Sequence, residues 1–122
     1  MKFWKMNGAG NDFVIVNNMD GQINPAHYGV IAKTLCERHM SIGADGMMFV
    51  EKPQGDADYR MVFYNSDGSM GEMCGNGARC ICRFAYDNGI AGQTMTIHTD
   101  AGLVPGWRLG KDQYRVKLNN PG

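Results

Sequence analysis

Cys74 stands within Tyr64-Asn65-Ser66-Asp67-Gly68-Ser69-Met70-Gly71-Glu72-Met73-Cys74-Gly75-Asn76-Gly77-Ala78-Arg79, just ahead of a segment with helical apolar spacing. Unpaired N–H groups and the positive end of a helix dipole gather at such a position. That setting lowers the pKa of a thiol and makes its thiolate available as a proton acceptor near neutral pH. Gly75, Asn76 and Gly77 follow. Small residues let a ligand approach the backbone, and N–H groups at a helix start suit a carboxylate or phosphate. One turn can therefore hold an anion with a thiolate beside it. Nucleophilic attack would need a His general base. His27, His39 and His98 carry no motif that marks one of them as such a partner. Proton abstraction alpha to a bound carboxylate uses every feature present, because the same N–H groups stabilise the charge that builds up. The plain alternative is a buried cysteine ahead of a glycine-rich helix start. Cys36, Cys80 and Cys82 read as small apolar residues. The C-x5-C-x-C spacing of Cys74, Cys80 and Cys82 matches no common structural zinc site.

The elements that must position Cys74 follow from periodicity. Lys2–Lys5 and Asp12–Val16 read as strands around the turn Asn7-Gly8-Ala9-Gly10-Asn11. Asn24-Pro25 starts a helix, with Asn as N-cap and Pro at the first helical position. Tyr28, Ile31, Ala32 and Leu35 form its apolar stripe, which runs to about Arg38. Gly29 inside it costs about 1 kcal/mol, so this helix must lean on tertiary packing. Met47–Glu51 and Tyr59–Tyr64 read as strands. Ala78, Ile81, Cys82 and Ala85 form the stripe of a second helix, closed by Asn88-Gly89. Thr94–Thr99, Gly102–Val104, Trp107–Leu109 and Tyr114–Leu118 alternate as antiparallel strands. Seven or eight strands and two helices without regular crossovers predict an α+β fold, a mostly antiparallel sheet curled around a central helix.

The chain has 122 residues, which suits a single domain over 1–122. Hydrophobic residues make up 43 % and charged residues 20 %, which is a globular composition. Twelve basic and twelve acidic residues cancel, so no electrostatic footprint points to nucleic acid or an anionic membrane. The longest apolar runs, Phe13–Val16 and Met47–Val50, are too short to span a bilayer. The first residues lack a signal-peptide core, so a cytoplasmic protein is expected. No Gly-x-Gly-x-x-Gly after a strand, no P-loop lysine and no metal-ligand set calls for a cofactor.

Four segments together resemble the N-terminal half of the diaminopimelate epimerase family, racemases and epimerases that work without pyridoxal phosphate. They are Lys5-Met6-Asn7-Gly8-Ala9-Gly10-Asn11-Asp12-Phe13, Arg38-His39-Met40-Ser41-Ile42-Gly43-Ala44-Asp45-Gly46, Tyr64-Asn65-Ser66-Asp67-Gly68-Ser69 and Met73-Cys74-Gly75-Asn76-Gly77-Ala78-Arg79-Cys80. The resemblance implies two facing α+β domains, each supplying one cysteine. One thiolate removes the alpha proton, and the other thiol delivers a proton to the opposite face. By resemblance Cys74 is the catalytic cysteine of this half. Gly75 and Asn76 hold the alpha-carboxylate, and Asn11 and Asn65 bind an amino-acid substrate similar to diaminopimelate. An asparagine offers a zwitterion both donors and an acceptor. The sequence departs from the family pattern at Asn7, where many members have His. It departs again at Gly46, where some have a substrate-contacting Gln, and at Leu118-Asn119-Asn120, where Met-Gly is more usual.

Inversion at carbon needs an acid and a base on opposite faces, and this sequence holds one Cys-Gly-x-Gly turn. Three arrangements meet that requirement or dispense with it. The chain is half of an epimerase that needs a complementary C-terminal half. It forms a two-fold homodimer that brings two Cys74 thiols to one alpha carbon. Or it binds an amino acid or a partner without chemistry.

Overall fold

The computed structural model describes residues 3–8, 11–38, 46–53, 55–71, 75–100, 102–111 and 113–117. Seven strands form one sheet in sequence order. They are β1 (Phe3–Gly8), β2 (Asn11–Asn18), β3 (Gly46–Glu51), β4 (Tyr59–Asn65), β5 (Thr94–Thr99), β6 (Gly102–Gly110) and β7 (Gln113–Val116). The helices are α1 (Tyr28–Arg38), entered through a 3-10 turn at Pro25–His27, and α2 (Gly75–Asp87). Neighbouring strands are antiparallel except β2–β3 and β4–β5, the two pairs joined through helices. The fold is therefore α+β and mostly antiparallel, as the sequence predicts.

The topology fixes where the helices go. β2 and β3 run one way along the sheet, and β4 and β5 run the other way. Both crossovers step in the same direction across it, so crossovers of one hand place their helices on opposite faces. The burial pattern agrees. Phe13, Ile15, Met48, Val50, Tyr59, Met61 and Phe63 pack with Ile81, Cys82, Phe84 and Ala85 of α2. The alternate residues Val14, Val16, Met47, Phe49 and Val62 pack with Tyr28 and Ala32 of α1. Both helices are covered on a face by the sheet, and α2 packs against β1 and β2 at one edge and β6 and β7 at the other. The sheet thus curls around α2, while α1 lies against β3 and β4 on the outer face.

Local signals match the elements. Asn24 accepts a hydrogen bond from the Ala26 N–H at 3.0 Å, with Pro25 at the start of the 3-10 turn. Ala78, Ile81, Cys82 and Ala85 are fully buried. At the end of α2 the Ile90 N–H reaches the Ala85 carbonyl, the Gly89 N–H reaches the Tyr86 carbonyl, and Gly89 has φ +70. This is a Schellman cap, which accounts for Asn88-Gly89.

Strand boundaries differ from the sequence expectation in several places, with β3 beginning at Gly46 and β4 ending at Asn65, one residue beyond each expected strand. β1 and β2 reach further into the glycine turn, with Gly8 paired to Asn11, because each added pair satisfies backbone groups. The expected strands at 102–104 and 107–109 are one strand, β6, running through Pro105. Pro105 is tolerated because its partner Thr96 spends its own N–H and carbonyl on Asp58, on the far side of β5. The last strand, β7, ends at Val116. β4 and β5 share only the pairs Tyr59↔Ile97 and Arg60↔His98. Asp58 lengthens this joint, its N–H donating to the Thr96 carbonyl and its Oδ2 accepting from the Thr96 N–H at 2.7 Å. No helix among the described residues is long and apolar enough to cross a membrane.

Candidate active site

Sheet register gathers sequence-distant residues at one end of the curl. Phe13 of β2 pairs with Gly46, the first residue of β3, and Gly46 pairs with Asn65, the last residue of β4. Asn11 begins β2 at that same end. Strands about 4.8 Å apart with a rise of about 3.3 Å per residue put the backbones of Asn11 and Asn65 about 12 Å apart across β3. Helix α2 points its start towards this end. Phe84, near its C-terminus, packs edge-on against Trp4 at 5.0 Å, and Trp4 lies near the beginning of β1, away from Gly8.

Gly75 is the first residue of α2. A Cβ there would meet only the Arg79 Nη1, at ordinary contact distance of 3.5 Å. Packing among the described residues therefore gives no reason for glycine at 75. Cys74 itself, and the side chains of Asn11, Asn76, Asn7 and Cys36, lie outside the described residues. Of the expected site residues, the structure thus describes Gly75 and Asn65 fully and Asn11 and Asn76 by backbone.

Asn65 sits on a tightly bonded turn. Its N–H donates to the Ser69 carbonyl at 2.8 Å, and its carbonyl accepts from the Gly68 N–H at 3.0 Å. Its side-chain Nδ2 donates to Ser69 Oγ at 3.1 Å. Asp67 Oδ1 accepts from both the N–H and the hydroxyl of Ser69, at 2.9 and 2.6 Å. Those two bonds from Ser69 hold the Asp67 carboxyl below its usual range. Among the described residues no donor reaches Asn65 Oδ1, and the residue is half-buried. At position 46 a Cβ would come within 2.5 Å of the Phe63 ring, so the ring occupies the space where a side chain would start.

The remaining cysteines behave as expected where they are described. Cys80 and Cys82 are buried and belong to no disulfide. Burial pushes the Cys82 thiol up to about 12, with a hydrogen bond from Tyr59 opposing the shift. Such a thiol is packing, not chemistry. Among the described residues no group of three His, Cys, Asp or Glu side chains could hold a metal ion.

Sequence reasoning missed a polar network at the opposite end of the sheet. Asn18 donates to the Tyr28 hydroxyl at 2.7 Å and to the Ile23 carbonyl at 2.9 Å, and accepts from the Ile23 N–H at 3.0 Å. The Tyr28 hydroxyl donates to Glu51, Glu51 faces Arg60 at 3.4 Å, and Arg60 reaches Asp100 at 3.2 Å. Burial first, and then the Glu51 carboxylate, hold the Tyr28 hydroxyl well above its usual range. Tyr28 read as one member of an apolar stripe, and nothing in the sequence marks where its hydroxyl ends. An open pocket of about 500 Å³ lies at this end, lined by Trp4, Asn17, Met19, Asp20 and Gln22 among others. It includes none of the expected site residues.

A sequence model of the family described as diaminopimelate epimerase matches residues 3–118. The chain belongs to the diaminopimelate epimerase family. A diaminopimelate epimerase from Caldanaerobacter subterraneus is 46 % identical over 105 residues, covering 85 % of this chain and 36 % of that protein. One from Synechocystis is 43 % identical over 122 residues, covering 99 % of this chain and 43 % of that protein. The chain thus spans less than half the length of the curated relatives it matches. Among solved structures, a probable proline racemase from Agrobacterium radiobacter aligns with a TM-score of 0.68 at 17 % identity, over 93 % of this chain and 40 % of that one. A phenazine biosynthesis protein of the PhzF family from Bacillus anthracis aligns with a TM-score of 0.65 at 22 % identity, over 88 % and 36 %. These two likenesses establish the shared fold, a sheet curled around a helix.

Proposed function

We propose that residues 1–122 form one domain of a two-domain epimerase or racemase that inverts the alpha carbon of a diaminopimelate-like amino acid without a cofactor. Cys74 is one of two acid–base thiols. The start of α2, at Gly75 and Asn76, receives the alpha-carboxylate, and Asn11 and Asn65 bind the rest of the zwitterion. The observation that carries this reading is the register that brings Asn11, Gly46 and Asn65 to the end of the sheet towards which α2 begins. In this scheme the carboxylate meets N–H groups at a helix start, which favours negative charge as the alpha proton leaves. The thiolate at 74 takes that proton on one face. A thiol from a complementary C-terminal half returns a proton on the other.

The test is proton NMR of diaminopimelate in deuterium oxide, with the reduced chain alone and with the complementary half of a full-length relative added. The alpha-proton signal is expected to persist with the chain alone and to decay when both halves are present. Cys74→Ala should slow that decay by about a hundredfold to ten-thousandfold, the range of a lost general base. Two folded halves that leave the signal unchanged would overturn the two-domain reading. Exchange by the chain alone would instead point to a two-fold dimer pairing two Cys74 thiols.

A further inference from the structure

The glycine in the second position of α1 has a partner. A Cβ built on Gly29 would lie 2.8 Å from the Gly68 carbonyl oxygen, and one built on Gly68 would lie 2.8 Å from the Gly29 carbonyl oxygen. The two backbones therefore seat on each other reciprocally, each alpha hydrogen facing the other's carbonyl, a weak attraction that any side chain would remove. Gly68 also has φ +90, and a Cβ there would come within 3.2 Å of the Lys33 Cβ. Tyr64, one residue before Asn65, closes the other side, its ring edge 3.6 Å from where a Gly29 side chain would begin.

The helix end that carries Gly29 is itself fixed. Tyr28 stacks on Phe49 at 3.8 Å, meets Tyr64 edge-on at 6.0 Å, and holds Asn18 and Glu51 through its hydroxyl. The chain of contacts therefore runs from the buried network through α1 to the turn of residues 65–69. Without a helical reason for glycine, and with a cost of about 1 kcal/mol for it there, the seat explains the residue.

We infer that Gly29 is a positioning residue: it seats the Gly68 turn against α1 and so sets where the Asn65 side chain projects. The inference rests on the reading of Asn65 as a substrate-binding residue, and it adds that the outer helix controls affinity without touching substrate.

The test uses the full chain labelled with nitrogen-15, read at the Asn65 side-chain amide and the Gly68 and Ser69 N–H signals, and titrated with diaminopimelate. In Gly29→Ala these signals move and the affinity falls about tenfold, a loss of about 1.4 kcal/mol. In Val30→Ala, altered at a neighbouring side chain that is 70 % exposed, they stay in place. Unmoved Asn65 signals in a folded Gly29→Ala overturn the inference. Should Gly29→Ala fail to fold, Tyr28→Phe decides, since it adds no atoms and loosens the helix end by removing its bonds to Asn18 and Glu51 while the ring contacts to Phe49 and Tyr64 stay. Movement of the Asn65 turn in that variant supports the seat, and no movement overturns it. If the turn moves while Asn65→Ala binds diaminopimelate as well as the unaltered chain does, the seat stands and the substrate role of Asn65 falls.

Discussion

Asn18 and Asn65 sit at opposite ends of the same sheet and do opposite things. Asn18 is 3 % exposed, and its amide is spent on Ile23 and Tyr28. Asn65 is half-buried, with Nδ2 held by Ser69 and Oδ1 met by no donor among the described residues. A buried amide must be satisfied within the chain, whereas a rim amide can keep capacity for a ligand. At one end the asparagine amide is spent within the fold, and at the other a tightly bonded turn leaves an acceptor that no donor among the described residues meets. The difference separates an asparagine that holds the fold from one available to recognise something else.

The sharpest way to break this contrast is at Asn18. Asn18→Ala removes three hydrogen bonds and strands the Ile23 backbone, so it should cost about 2–4 kcal/mol. In thermal unfolding that corresponds to a drop of roughly 10 °C or more. A midpoint within 2–3 °C of the unaltered chain, on the order of 0.5 kcal/mol, would mean that water replaces the network freely.

A second contrast lies along α2, between its buried thiol and the cysteine that precedes it. The folded state holds Cys82 protonated up to about 12, against an ordinary value of 9.0. The unfolded chain therefore loses this proton first as pH rises. The stabilisation is complete below pH 9 and declines between pH 9 and 12, by up to about 1.4 kcal/mol per pH unit. Urea unfolding at pH 8, 9, 10 and 11 should show the decline, and Cys82→Ala should flatten it by about 2.5–3 kcal/mol at pH 11. Equal slopes in the two proteins would mean that burial does not hold this thiol neutral.

Much of this architecture is legible in the residues, and for physical reasons. The stripe Ala78, Ile81, Cys82 and Ala85 is helical because its spacing is, and it is buried as a unit. Asn24-Pro25 and Asn88-Gly89 mark helix ends because each supplies or accepts a cap bond. Pro105 misleads, since whether a strand survives a proline depends on which neighbour faces the missing N–H. The placement of α1 outside the curl and α2 inside it follows from strand directions, which no local spacing encodes. Of the site, the segments 65–69 and 74–77 carry their own signature in residue types. The Tyr28–Glu51 and Gly29–Gly68 contacts join residues 23 and 39 positions apart, so only the fold reveals them.

The smallest effect on stability should come from the other asparagine. Asn65→Ala loses one exposed bond to Ser69 Oγ, while the backbone bonds from Asn65 to Gly68 and Ser69 do not need its side chain. The expected cost is about 0.5–1 kcal/mol, near the limit of what urea unfolding resolves. Binding should respond differently. If Asn65 hydrogen-bonds a charged group of the substrate, its removal weakens diaminopimelate by roughly tenfold to a hundredfold, because a bond to a charged group contributes about 1.5–3 kcal/mol. Calorimetric titration and urea unfolding of one variant thus separate the two roles. A stability loss as large as that of Asn18→Ala with unchanged binding would make Asn65 a turn-forming residue, and this end of the sheet would have to recognise its ligand through other groups.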